Sequence, residues 1–150
     1  MNYPYKIKLV LTYKHDPNET EIFTERVDAE KDGEYYRLVQ APEFAPNIAY
    51  GDIVKVEFDE GEFHFDELVE ESGFSVANII IWKSASKDRL ISVLNDFGCA
   101  VNSHVADNYL VISISPQLLY NPIRSFLLKE ELNGNIDIKE CLSKVHKDKL

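Results

Sequence analysis

The sequence predicts an α+β fold: an N-terminal small antiparallel β-barrel or strongly curled sheet, followed by a mixed lobe of strands and helices. Three observations carry this prediction. In the first half, apolar residues alternate with polar ones, which is the pattern of strands that bury one face. After residue 74, continuous apolar runs and helical spacing replace the alternation. The chain has 150 residues, 45% of them hydrophobic, which is enough for one domain or two small lobes.

Short strands separated by turns fill the first half, and no helical period interrupts them. Turns are expected at residues 15–18, 32–33 and 59–61, where Pro, Gly, Asp and Asn cluster. Two prolines make residues 41–46 a loop. The predicted strands cover residues 5–13, 22–27, 35–39, 54–58 and 63–65. We therefore assign residues 1–74 to an acidic β-rich lobe.

The second half alternates strands with helices. Ser86 is a suitable N-cap for the first helix, and the proline at position 122 suits the first turn of the second. The predicted elements are strand 76–82, helix 86–97, strands 100–105 and 109–115, helix 121–132 and strand 136–142. This order is typical of a ferredoxin-like βαββαβ lobe, which we assign to residues 75–142. The continuous apolar run at 76–82 suits a strand that is covered on both faces, and Trp82 at its end is expected in the core. Residues 143–150 are expected to form a basic flexible tail.

The net charge of −10 is concentrated in the first half. Residues 1–76 carry 18 acidic and 7 basic side chains, whereas residues 77–150 carry 8 acidic and 9 basic ones. The segment from Asp52 to Glu71 alone holds nine carboxylates and one cation, Lys55. Such a field repels nucleic acids and anionic membranes and attracts basic proteins. A solvated acidic face that only keeps the protein soluble is the alternative interpretation.

The expected location is the cytoplasm. The N-terminal apolar run contains Lys6 and Lys8 and no small-residue cleavage site, so it does not resemble a signal peptide. No apolar stretch approaches the roughly 18 residues that a membrane-spanning helix needs. Cys99 and Cys141 do not make a disulfide framework, and both are expected to be free thiols.

Three short segments resemble a known family. They are residues 40–44 (QAPEF), residues 51–54 (GDIV) and residues 71–75 (ESGFS). These segments are similar to the "N-x-P-F", "G-D-x-V" and "x-S-G-x-S" motifs of the bacterial domain of unknown function family 4265, with one extra residue in the first. The resemblance covers most of the chain and implies an architecture rather than an activity. Small proteins of this kind can occur as immunity partners of secreted toxins.

No motif predicts catalysis, a metal site or a cofactor. Cys99 and His104 have the same spacing as Cys141 and His146, and thiolate and imidazole ligands suit zinc. However, the two pairs are expected on strands at opposite edges of the sheet, so no metal is predicted. Cys99 follows a helix C-terminus, where the helix dipole opposes a thiolate.

Acid–base and serine chemistry are not predicted either. Paired acids such as Glu57 and Glu62 could support acid–base chemistry, but their strand positions predict solvent exposure. Ser72 and Ser75 lack the nucleophile-elbow pattern, and a turn between lobes is the more natural role for them.

These observations favour a non-enzymatic binding protein. The most specific hypothesis is an immunity (antitoxin) protein whose acidic surface neutralises a basic toxin, possibly a nuclease. The alternative is a regulatory ferredoxin-like module that binds a small ligand or pairs into a homo-oligomer. The predicted partner-binding residues are Asp52, Glu57, Asp59, Glu60, Glu62, His64, Asp66, Glu67, Glu70 and Glu71.

Overall fold

The structure is a computed structural model that describes residues 5–16 and 18–150. It is mostly β-sheet with a few helices, arranged in two separate sheets, one of which closes into a ring. The chain divides into two compact units, Met1–Ser72 and Gly73–Leu150, and each unit contains one of the sheets. The α+β class predicted from the sequence agrees with this composition.

Five strands form the N-terminal unit. They are β1 (Tyr5–Asp16), β2 (Glu19–Asp32), β3 (Tyr35–Leu38), β4 (Ile53–Asp59) and β5 (Glu62–Glu70). Consecutive strands pair antiparallel, and the ring closes because β5 pairs in parallel with β1, Phe63 opposite Ile7 and His64 opposite Lys8. The alternation seen in the sequence points one face of every strand inward.

The interior of the ring is a small apolar core. Ile7, Val27, Ala29, Leu38 and Val54 are each at most 1% exposed. At one end an aromatic cluster continues this core: the rings of Tyr5, Tyr36 and Phe63 lie with centroids 5.2 to 5.8 Å apart. Burial of these side chains is the dominant stabilising term for a unit of this size.

The first hairpin is longer than the sequence predicted. The ring involves only part of β1 and β2, because β2 pairs with β3 only as far as Ala29 and β1 pairs with β5 at Ile7 and Lys8. Beyond the ring, β1 and β2 remain paired with each other up to Asp16 and Glu19. We call the part formed by residues 9–16 and 18–25 the arm. The predicted turn at 15–18 is not where β1 ends, since β1 continues through Asp16, and residue 17 lies outside the described residues.

The C-terminal unit is a four-stranded antiparallel sheet with helices. Its elements are β6 (Ser75–Ile81), α1 (Lys87–Asp96), β7 (Ala100–Ala106), β8 (Tyr109–Ile114), α2 (Tyr120–Leu132), β9 (Ile136–Cys141) and α3 (Lys144–Lys147), with a short 3₁₀ turn at Ser84–Ser86. The strand order across the sheet is β7-β8-β6-β9. Leu90 and Leu94 of α1 and Ile123 and Leu127 of α2 share one core with the sheet.

Two burial predictions in this unit are wrong. Alternate residues of β6, Ala77, Ile79 and Ile81, contact the helices and are nearly fully buried. Ile80 and Trp82 alternate with them and are 38% and 61% exposed. The strand is therefore not covered on both faces, and Trp82 is not in the core. Both helices pack against one face of the sheet, and an apolar run alone does not reveal which face a helix will cover.

The prediction of a flexible tail over residues 143–150 is also wrong for its first part. Ser143 caps the short helix α3, and His146 is 1% exposed. The His146 Nε2 atom lies 3.0 Å from the carbonyl oxygen of Ser115, which can only accept, so Nε2 donates to it, and Nδ1 shares a hydrogen bond of 2.5 Å with the Ser75 hydroxyl. A buried imidazole with both nitrogens satisfied holds this segment in place.

Candidate functional site

The β4–β5 hairpin carries most of the acidic candidates, and its turn is unusual. Glu60 and Gly61 link the two strands with φ values of 51° and 78°. Two consecutive positive φ values define the type I′ turn, whose twist matches that of antiparallel strands. Glycine adopts this conformation freely, but a residue with a Cβ atom does so at a cost, and asparagine is the usual choice at the first position. A glutamate therefore occupies a position where the turn alone would favour another residue.

The outward face of this hairpin is lined with carboxylates. Along β4, Val54 and Val56 point into the core, so Lys55, Glu57 and Asp59 point away from it. The pairing places Glu67 opposite Lys55 and Glu70 opposite Ile53. At about 3.4 Å per residue, the row from Asp59 to the level of Glu70 is roughly 20 Å long.

Six predicted site residues are exposed and available to a partner. Within the described ranges, their carboxylates make no ion pair or hydrogen bond. They are Glu57, Asp59, Glu60, Glu67, Glu70 and Glu71. We call these six side chains the acidic stripe. Lys55 lies along the same row, and its ammonium group is 3.7 Å from the Asp66 carboxylate. This ion pair neutralises the charge of Asp66, so Asp66 is not counted in the stripe.

Glu62 and His64 contact other groups of the N-terminal unit. Glu62 accepts a hydrogen bond of 2.7 Å from the Arg26 Nε atom, and the Lys8 ammonium lies 3.6 Å away. The hydrogen bond from Arg26 lowers the pKa of Glu62, although partial desolvation opposes the shift. His64 is half-buried, opposite Glu57, and its Nε2 atom is 3.2 Å from the Asp59 carbonyl oxygen. Glu62 therefore adds little net negative charge to the surface.

Phe58 is a surface residue of the hairpin that the sequence pattern did not indicate. This residue is at the tip of β4 between Glu57 and Asp59 and is 64% exposed, with its ring centroid 5.2 Å from that of Phe63. Its place in the apolar phase of the strand suggested burial, whereas its position next to the turn was the available signal of exposure. The hairpin therefore offers an aromatic surface as well as charge.

The residues considered for metal or nucleophilic chemistry do not form a site. His104 is on β7 and Cys141 ends β9, and these strands are at opposite edges of the sheet. Among the described residues, no three histidine, cysteine or carboxylate side chains come close enough to hold a metal ion. Cys99 is 6% exposed, and burial raises the pKa of its thiol to about 11. The hydroxyl of Ser75 is fully buried.

Most of the chain matches a known protein family. The family model described as "Domain of unknown function (DUF4265)" matches residues 25–138, about three quarters of the chain. The chain belongs to the DUF4265 family. The family predicted from the sequence is thus confirmed, and it carries no assigned activity.

One solved structure is similar to this DUF4265 protein over nearly its whole length. It is described as a novel crystal structure of a hypothetical protein from Neisseria gonorrhoeae, and the two chains are 24% identical. The match covers 92% of this chain and 94% of the other, with a TM-score of 0.79, which shows a shared fold. No curated protein matches the chain significantly. None of the described helices combines the length and apolar character that crossing a bilayer requires.

Two of the DUF4265 segments meet in the structure, and they overturn one predicted site residue. Asp52 was assigned to the partner-binding surface, but it is only 3% exposed. Its carboxylate accepts the backbone N–H of Ala49 and of Ser72, each at 2.9 Å. Gly51 beside it has φ +83°, and a Cβ atom there would lie 3.0 Å from the Ser72 side chain. Asp52 is a structural residue, because a buried carboxylate that accepts two N–H groups is turned away from any partner.

Proposed function

We propose that this protein is a non-enzymatic binding protein, most specifically an immunity protein that neutralises a basic toxin domain through the acidic stripe. The observation that carries the proposal is the acidic stripe itself, whose six exposed carboxylates have no ion-pair partner among the described residues, whereas Glu62 and Asp66 of the same hairpin are paired with cations. Nuclease domains need cationic surfaces to hold phosphate, and an acidic partner can occupy such a surface directly.

The geometry of the stripe supports a fast, salt-sensitive association. Charges spread over roughly 20 Å on a rigid hairpin produce a field that steers a cationic partner, and this effect falls as salt screens it. Phe58 lies between Glu57 and Asp59 in the chain, and strand alternation directs its exposed ring to the other face of the same hairpin tip. Interfaces commonly combine an aromatic anchor with a charged rim, and the tip carries both kinds of side chain.

Two further proposals concern the setting of this role. The C-terminal unit is proposed to be a ferredoxin-like domain, a proposal supported by its βαββαβ order and its all-antiparallel β7-β8-β6-β9 sheet. We place the protein in the cytoplasm, where its two free cysteines would stay reduced. In this view the C-terminal unit is a scaffold, and the partner is recognised by the N-terminal unit.

The test uses the basic C-terminal domain of a secreted protein encoded by a neighbouring reading frame. We expect it to bind this protein with an association rate that falls steeply between roughly 50 and 500 mM salt, over which the Debye length shrinks from about 14 to about 4 Å. The triple variant Glu57→Lys, Asp59→Lys and Glu60→Lys is expected to slow association about 10- to 100-fold.

A second triple variant supplies the matched control. Asp96, Asp107 and Asp137 are exposed residues of the C-terminal unit, and their replacement by lysine changes the net charge by the same amount. We expect this control to bind nearly as fast as the unaltered protein. Equal losses in both variants would show that total charge rather than the stripe is responsible, and salt-insensitive or absent binding would refute the proposal.

A further inference from the structure

The arm and the proline-containing loop enclose an apolar cavity. The cavity has a volume of about 320 Å³ and is lined by Leu11, Phe23, Thr24 and Phe44. Leu11 is 9% exposed and forms the floor, whereas Phe23 and Phe44 are 46% and 44% exposed. Leu11 and Phe23 are directly opposite each other in the β1–β2 pairing, so their side chains share one face of the arm. Large aromatic rings left half open to water are a common mark of an interaction site.

A single carboxylate holds the wall of this cavity in place. Glu25 accepts the backbone N–H groups of Glu43, Phe44 and Ala45 at 2.9, 3.1 and 2.6 Å. Three hydrogen bonds to one carboxylate fix the loop against β2, because charge-assisted bonds are stronger than neutral ones. Phe44 is therefore positioned before any partner arrives, which lowers the entropic cost of binding there.

The charges at this end of the unit indicate what would enter. β5 runs parallel to β1, so its C-terminal end points in the same direction as the arm. That end carries the exposed residues Glu67, Glu70 and Glu71. An apolar cavity at the end of the unit toward which these carboxylates point matches an apolar side chain that is carried on a basic segment. The volume is at the low end of ligand pockets, which suits one large side chain rather than a cofactor.

We propose that this cavity receives a single apolar or aromatic side chain from a basic protein segment and serves as the anchor of the interface. The proposal rests on the proposed function in that the same basic partner would contact the acidic stripe. The two surfaces then have separate tasks: the stripe sets the rate of encounter, and the cavity sets the lifetime of the complex.

Two synthetic peptides test the cavity without any natural partner. Each is a heptapeptide with three lysines on either side of a central residue, which is phenylalanine in one and serine in the other. We expect only the phenylalanine peptide to shift the NMR resonances of Leu11, Phe23 and Phe44. The substitution Phe44→Ala is expected to weaken its binding by at least about 10-fold.

Matched substitutions are available on the same arm. Val10 and Ile22 are 57% and 67% exposed and do not line the cavity, so Val10→Ala and Ile22→Ala should change peptide binding less than about 2-fold. Equal binding of the serine peptide would overturn the proposal, because the contact would then be purely electrostatic. Resonance shifts that map away from the cavity, or filling of the cavity by a second copy seen as a concentration-dependent mass, would also overturn it.

The natural partner separates this inference from the proposed function. With the basic domain described above, Phe44→Ala should raise the dissociation rate about 30-fold and leave the association rate nearly unchanged. The stripe variant should do the reverse. Absence of a basic partner would refute the proposed function while the peptide comparison still decides the cavity. Conversely, a bound partner whose dissociation ignores Phe44→Ala would refute the cavity alone.

Discussion

Replacing Asp52 should destabilise the N-terminal unit strongly, although the residue lies in the most acidic segment of the chain. Asp52→Ala removes two hydrogen bonds of 2.9 Å from a charged acceptor and leaves the N–H groups of Ala49 and Ser72 without it. At about 1.5–3 kcal/mol for each bond to a charged group, we expect a loss of about 3–6 kcal/mol in the free energy of unfolding. Asp52→Asn keeps one acceptor and should cost about half as much.

Amide hydrogen exchange is the suitable assay because it resolves each unit. Trp82, the single tryptophan, lies in the C-terminal unit, so its fluorescence would not report on the ring. Amides of Leu38 and Val54 should exchange at least about 100-fold faster in Asp52→Ala, because each 1.4 kcal/mol of lost stability raises the opening equilibrium about tenfold. The control Asp59→Ala, which removes an exposed carboxylate, should change stability by less than about 0.5 kcal/mol. A loss below about 1 kcal/mol for Asp52→Ala would refute the reasoning.

Two further predictions concern titration in the C-terminal unit. Arg89 and Asn135 donate hydrogen bonds to Glu130 and lower the pKa of its carboxyl group. The stability that these bonds contribute is therefore fully present above the unfolded pKa of about 4.3, and it is lost as the pH falls through the lower folded value. Glu130→Gln should thus destabilise the protein by about 1–3 kcal/mol at pH 7 in urea unfolding, with the difference shrinking below about pH 4.5, and a constant difference across this range would contradict the assignment. Cys99 is 6% exposed, and the pKa of its thiol is raised to about 11. It should therefore resist iodoacetamide at pH 8 in the native protein and react readily in urea, which mass spectrometry would follow. Rapid alkylation of the native protein would contradict the burial of Cys99.

The fold was predictable to the extent that local patterns decide it. The helix predicted from Ser86 is observed as α1 over Lys87–Asp96, and the helix predicted from residue 121 is observed as α2 over Tyr120–Leu132. Alternating strands and Gly-centred turns likewise appear near their predicted positions. Caps, turn residues and hydrophobic periods act over a few residues, so a single sequence contains them.

The candidate site was predictable in its location but not in its composition. Nine of its ten residues lie in the hairpin's solvent-facing or half-buried positions, but Asp52 faces inward and Glu62 pairs with Arg26, 36 residues away along the chain. Phe58 was absent from the prediction because strand alternation does not show at which residue a strand extends past the buried core into solvent. Each of these outcomes depends on which backbone or side-chain groups, distant in the sequence, lie next to the residue in the folded protein.

Composition and pattern alone thus determined the charge of each half, the α+β class and the acidic hairpin, and the resemblance of three short segments indicated the family. The tertiary structure alone decided which carboxylates remain available, that the first hairpin extends as an arm, and that Glu25 holds Phe44 beside a cavity. It also decided that His146 anchors the C-terminal segment. The physical reason is common to these features: desolvation and pairing of a polar group depend on neighbours that are distant in sequence, whereas periodicity and charge are properties of the chain itself.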